Sequence, residues 1–374
     1  MQEILTRNAG AQMKHVGLLS YQWLHNGKRN RYIWYLIYTS IWAFTIYMIY
    51  FICTTFMENP TYTTLESFHY PVRELAMPGI SVCNLNKISK KRAEAYAEKL
   101  AISTGINKSD IMNNVTLLGH LYDFSLPADL GTLEHFQVFL ETYPDNIQGG
   151  SFDTQKVLKE LTTPCHETLT DCVLHGAFWN CSDLFVTELT MEGFCCVFNY
   201  IAQRKTAEFP RILKENDNNA VKIGNGGLNF KILFNVTDMT YTTMSTLGSK
   251  ILISLSTDYP DKASGGLSEE IVNIGVESFI RYDAVTTTTT PEVKNYPIEK
   301  RKCIFRDEVQ TIFGNYSFSD CIMDCKIKSV IALCQCVPFN YFSVFPRSEL
   351  YDQCTLTDLV CLNSHIRLKM SILV

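Results

Sequence analysis

Between Ile33 and Phe56 the chain reads IWYLIYTSIWAFTIYMIYFICTTF, 24 residues without one charged side chain. A helix over this run rises about 1.5 Å per residue and crosses the roughly 30 Å hydrocarbon layer of a bilayer with some tilt. The run therefore reads as a transmembrane helix. Lys28, Arg29 and Arg31 lie just before it and Glu58 just after. The excess of positive charge keeps residues 1–32 in the cytoplasm and places 57–374 outside. Trp34 and Tyr35 suit the inner interface. A cleaved signal peptide is the competing reading, but the run is too long, starts too late and has no small-residue cleavage site ahead of Pro60.

Charge and cysteine usage point the same way. Arg7, Lys14, Lys28, Arg29 and Arg31 against Glu3 give residues 1–32 a net +4, so of the formal −5 of the whole chain the remainder carries −9. That asymmetry excludes a globally basic nucleic-acid binder, and 46% hydrophobic with 19% charged residues excludes a disordered chain. Fourteen cysteines fall in close clusters, and the eight histidines are not paired with them at zinc-finger spacing. Oxidised bridges in an exterior compartment follow. Five Asn-x-Ser/Thr sequons, at Asn107, Asn114, Asn180, Asn235 and Asn315, all come after the apolar run.

A second membrane span has one candidate, Ser329 to Pro346 (SVIALCQCVPFNYFSVFP), also uncharged. Gln335, Asn340, Pro338 and Pro346 would leave polar groups and broken backbone bonds in lipid. A helix ending in a disulfide-tied loop is the preferred reading. Residues 57–374 read as one large exterior domain without a clear linker. Asn86 to Ser103 is rich in helix formers, with Asn86 a candidate cap and Lys90 one turn before Glu94. Leu228, Phe230, Ile232, Phe234 and Val236 alternate inward against Asn229, Lys231 and Asn235 outward, as a strand with one buried face. Ile251 to Leu255 and Ile271 to Ile280 look strand-like, Ser319 to Leu333 helical with Ser319 at its start. Thr286 to Thr290 suits a strand edge or a loop. The fold class is thus a membrane protein with one N-terminal helix and a disulfide-rich, mixed α and β exterior domain.

Cys172 and Cys181 can close a short loop. Cys321 and Cys325, four apart on a helix, share one face and suit tying it to a neighbouring segment. Zinc held by Cys321, Cys325, Cys334 and Cys336 is the alternative, disfavoured outside the cell. Cys195 and Cys196 lack the spacing of a redox dithiol. His166 and His175 near the cysteines invite a nucleophile pair, which bridging would consume. Gly224 to Gly227 reads as a turn into a strand, with no helix after it to hold phosphate. Neither enzyme chemistry nor a metal or cofactor site is expected.

Met77-Pro78-Gly79-Ile80-Ser81-Val82-Cys83-Asn84-Leu85-Asn86 resembles a segment that follows the first membrane helix in the degenerin and epithelial sodium channel family. The run from Cys172 and Cys181 to Thr190-Met191-Glu192-Gly193-Phe194-Cys195-Cys196-Val197-Phe198-Asn199 is similar to its cysteine-rich segment, the doubled cysteine to its pickpocket branch. Arg301-x-Cys303, Tyr316-Ser317-x3-Cys321-x3-Cys325 and Cys334-Gln335-Cys336-Val337-Pro338 resemble its thumb helix in order and spacing.

The resemblance implies a subunit of a ligand-, proton- or force-gated, amiloride-sensitive sodium channel in the plasma membrane. Such a subunit would form homo- or heterotrimers with full-length subunits, contact membrane lipid and pass sodium ions. Nucleic acid is not an implied partner. Residues 57–85 would begin a palm, 86–220 form a finger region, 221–300 supply palm strands and 301–374 an incomplete thumb. The family order pairs Cys83 with Cys195, Cys172 with Cys181, Cys334 with Cys361 and Cys336 with Cys354, and leaves Cys165 with Cys196. Cys303, Cys321 and Cys325 would stay unpaired, and Cys53 sits in the membrane helix. Two features depart from the family. Its His-Gly gating pair is interrupted in His15-Val16-Gly17 and in His25-Asn26-Gly27, and its Gly-x-Ser filter has no counterpart, since no glycine follows Gly314. The expectation is a product truncated before the second membrane helix. The alternative is a non-conducting single-pass subunit that regulates or binds ligand.

Overall fold

The computed structural model describes residues 28–68, 70–142, 152–201, 210–215, 220–262, 266–311, 314–345 and 350–370. The His15 and His25 segments and the last four residues lie outside these. The chain divides into two compact units, Met1–Glu66 with Ala284–Cys303, and Ser67–Asp283 with Ile304–Val374.

The first unit is built on helix α1, Lys28–Glu58. Its Tyr32–Glu58 stretch is long and apolar enough to cross a membrane, and none of it is buried by protein. Four threonine hydroxyls are satisfied without water, donating back along the helix to backbone carbonyls: Thr39 to Tyr35 at 2.9 Å, Thr45 to Ile41 at 2.8 Å, Thr54 to Tyr50 at 2.9 Å and Thr55 to Phe51 at 2.8 Å. Residues 57–66 and 284–303 group with this helix. Thr286 to Thr290 joins no ladder. Thr288 Oγ1 donates to Glu66 Oε2 at 3.4 Å, and Lys302 Nζ donates to Asn59 Oδ1 at 3.2 Å.

In the second unit, strands β1 (Gly79–Asn84) and β2 (Asn86–Ser89) lead into α2 (Lys90–Thr104). The cap of α2 is Ser89, whose Oγ accepts from Arg92 N at 3.3 Å, and the helix ends at Gly105 with φ +74°. Asn86 is therefore not a cap. It is buried in β2, with Nδ2 donating to Asp238 O at 2.9 Å and Oδ1 accepting from Thr240 N at 3.2 Å. Helices α3 (Lys108–Val115), α4 (Leu130–Thr142) and α5 (Thr154–Leu161) follow. On α2 the buried residues Ala93, Tyr96, Ala97 and Leu100 keep helical spacing, and they share one core with Leu133, Phe136 and Leu140 of α4 and Val157, Leu158 and Leu161 of α5. Each large apolar side chain so buried contributes about 1.5–3 kcal/mol.

Strands β3 (Leu169–Leu174), β4 (Ala177–Trp179), β5 (Phe185–Thr190), β6 (Gly193–Phe198), β7 (Leu228–Ile232), β8 (Met239–Thr242), β9 (Gly248–Ser254) and β10 (Ser268–Asn273) complete the sheets. The main sheet runs β10-β9-β1-β6-β5, antiparallel throughout, with smaller sheets β4-β3-β7 and β2-β8. β1 lies at its centre, which is why GISVCN is almost wholly buried. β7 shows the alternation read from sequence but stops at Ile232. Asn235 opens a 3₁₀ turn over Val236–Asp238, leaving Val236 exposed instead of inward. β10 likewise ends at Asn273, and the chain turns at Gly275 (φ +74°), so Val276 to Ile280 forms no strand.

Helix α6 spans Phe318–Cys334 and α7 Leu359–Met370. Ser317, not Ser319, caps α6, accepting from Asp320 N at 3.0 Å. Ser319 is buried inside the first turn. From Ser329 to Phe345 the chain finishes α6, turns at Gln335 (φ +60°) and packs Val337, Phe339 and Phe345 into the unit, so this stretch is folded into the domain.

Candidate functional site

The two sequence blocks after the apolar run meet as neighbouring strands. β1 and β6 pair with Ile80 opposite Phe198 and Val82 opposite Cys196. Cys83 is bridged to Cys195, Cα atoms 4.5 Å apart. Successive residues of a strand face opposite sides. Cys195 accordingly packs with Val197 and Leu252, while Cys196 packs with Phe198 on the other face and is bridged to Cys165, Cα atoms 5.4 Å apart. Asn199 ends the block at φ +55°, fully buried, its Nδ2 donating to Met77 O at 2.6 Å and its Oδ1 accepting from Val221 N at 2.7 Å.

Three further bridges join Cys172 to Cys181, Cys334 to Cys361 and Cys336 to Cys354, at Cα separations of 5.3, 5.8 and 4.9 Å. Cys53, Cys303, Cys321 and Cys325 carry free, exposed thiols. With Cys334 and Cys336 consumed, the four-cysteine zinc set is not assembled. His166 is exposed and 3.7 Å from Glu167, and His175 lies at φ +53° beside Gly224.

A buried charge cluster, missed from the sequence, links four elements of this unit. Lys87 on β2 is 4% exposed. Its Nζ donates to Glu192 O at 2.8 Å, lies 3.6 Å from Glu192 Oε2 and sits 5.8 Å from the Tyr122 ring centre. Lys250 on β9 reaches the other Glu192 oxygen at 2.6 Å and lies 3.9 Å from Glu269, which also pairs with Lys262. Burial pushes Lys87 down to about 8, with Glu192 opposing. Burial alone would push Glu192 up, yet Lys87 and Lys250 hold it below the usual carboxylate range. Burial raises the Tyr122 hydroxyl. The one sequence signal is a lysine inside the near-apolar block that ends in Ile88.

Beside the β2–β8 ladder lies a cavity of about 300 Å³ lined by Asn84, Asn86, Lys91, Glu167, Asn235 and Asp238 among others. Three of the sequon asparagines are exposed caps. Asn107 accepts from Ser109 N at 3.2 Å, Asn180 from Ser182 N at 3.3 Å, and Asn235 from Thr237 N at 3.1 Å. Asn114 is half-buried within α3, and Asn315 lies in the short ladder of Gln310–Thr311 with Gly314–Asn315.

Residues 18–372 match the model of the amiloride-sensitive sodium channel family. The chain belongs to that family. Its likeness to curated members is spread along its length. It is 27% identical over 337 residues to the sodium channel protein Nach of Drosophila ananassae, covering 88% of this chain and 60% of that protein. Nach of Drosophila melanogaster is 24% identical, with 88% and 62% covered, and pickpocket protein 19 of the same species 22% identical, with 82% and 59% covered. This channel-family chain, of the pickpocket type, thus spans about 60% of the length of the curated relatives it matches. Its family is one of ion channels, not enzymes, and α1 suits a membrane-anchored member.

Proposed function

We propose that the chain is a subunit of an amiloride-sensitive sodium channel of the plasma membrane, opened by a ligand, protons or force. The supporting observation is the family match, which takes in α1, the paired β1 and β6 blocks and the α6–α7 region together. In this reading residues 1–32 are cytoplasmic and the second unit is exterior. The five-stranded sheet serves as the palm, α2 to α5 as the finger region and α6 with α7 as the thumb. Cys303, Cys321 and Cys325 are the unpaired thiols of that thumb. The subunit assembles as a homo- or heterotrimer with full-length subunits, and sodium is the permeant ion.

Co-expression with a full-length pickpocket relative tests the reading. The expected result is co-purification and an altered amiloride-blocked sodium current. No association and an unchanged current, with the chain shown at the cell surface, would overturn it.

A further inference from the structure

The cavity beside the β2–β8 ladder has a sequon on its wall. Asn235 is exposed, and its side-chain carbonyl is fully engaged by Thr237, taking the backbone N–H at 3.1 Å and the hydroxyl at 2.7 Å. Its Nδ2 makes no bond among the described residues. The side chain is thus divided in its uses: the oxygen caps the Val236–Asp238 turn and the nitrogen is left for chemistry.

The lining suits a sugar. Lys91 Nζ and Asn84 Nδ2 are donors without a partner among the described residues, and Phe234 and Leu247 add apolar surface. Asp238 is committed, its carboxylate taking Ser89 Oγ at 2.6 Å and Lys91 N at 2.7 Å, and Glu167 takes Arg92 at 2.9 Å. Polar donors over an apolar wall, in about 300 Å³, match a single amphipathic ring rather than a large apolar ligand.

We propose that Asn235 carries an N-linked glycan whose first N-acetylglucosamine seats in this cavity, against Asn84, Lys91 and Phe234. This rests on the exterior placement of the second unit. In the transfer, Nδ2 bonds C1 of a lipid-pyrophosphate-linked oligosaccharide while the C1–O bond breaks. The pyrophosphate leaves with the electron pair, and one Nδ2 proton passes to the transferring enzyme's base. Oδ1 remains a carbonyl, so the cap survives modification. Asn107 and Asn180 cap helices in the same way without lining this cavity, and they serve as internal controls.

The test is peptide N-glycosidase release from the full chain made in eukaryotic cells, followed at each site by mass spectrometry. Under native conditions release at Asn235 should be about tenfold slower than at Asn107, the factor supplied by a pair of ordinary hydrogen bonds. After denaturation the rates should converge. Lys91→Ala or Phe234→Ala should speed native release at Asn235 and leave Asn107 unchanged. An occupied Asn235 released at the Asn107 rate, or an empty Asn235 beside an occupied Asn107, would overturn the proposal while leaving the topology standing. Absence of glycan at all five sequons would overturn the exterior placement, and the proposal with it.

Discussion

Lys87 carries a proton whose cost depends on the fold. In the unfolded chain a lysine titrates near 10.5, and in its buried site Lys87 is pushed down to about 8. Between those values the unfolded chain binds the extra proton, so stability rises with pH across that window. Below about 8 the ammonium is charged in both states and the net cost of holding it in this site weighs fully. The pH dependence of Glu192 has the same sign in a lower window: its lowered value gives stability that is present above 4.5 and lost as pH falls through the folded value. Melting of the solubilised protein from pH 7 to 10.5 should therefore show wild type gaining on Lys87→Met, and parallel curves would count against a lowered Lys87 value in the folded state. Gly193 sets a second test. It holds φ +92° with the Tyr122 ring pressed against it, where a Cβ would collide. Gly193→Ala should cost about 2 kcal/mol or more, from the left-handed backbone and overpacking together, read as a lower melting temperature.

At the scale of elements, caps decide where the sequence was legible. Helix-forming composition located α2 and α6, yet both starts were misplaced, because several polar residues near each start could cap and only tertiary pairing chooses. Asn86 was drawn into β2 by its bonds to Asp238 and Thr240, so Ser89 took the cap. Ser317→Ala should cost about 1 kcal/mol, and Ser319→Ala should act instead by removing the buried bond that Ser319 Oγ donates to Tyr259 O at 3.4 Å. The alternation of β7 was readable, whereas its end was not, since the Asn235 cap overrides a pattern that continues in the sequence. The Lys87–Glu192 contact joins residues 105 apart, a relation that local periodicity does not encode. The cysteines offer a direct chemical test. Alkylation without reduction should label Cys303, Cys321 and Cys325 and spare the ten bridged positions. Removing the Cys172–Cys181 bridge should cost roughly 2–4 kcal/mol.

For the whole molecule, the charge flank and the one-sided sequons make orientation the decisive measurement. Protease applied outside intact cells should digest the second unit and leave the N-terminus protected, and an untouched second unit would reverse the orientation. Ile46→Arg, near the middle of α1, should impair membrane insertion by about 3–4 kcal/mol. The division into two units was not legible, because residues 284–303 carry no core of their own to announce their grouping with the helix. The two adjacent cysteines of β6 have a mechanical consequence. Cys195 rivets the strand sideways to β1, and Cys196 rivets it to the segment over Cys165–Thr168. A one-residue slide would have to tear the first rivet, and peeling the overlying segment away would have to tear the second. Any displacement of β6 therefore carries β1 and that segment with it as one stiff plate.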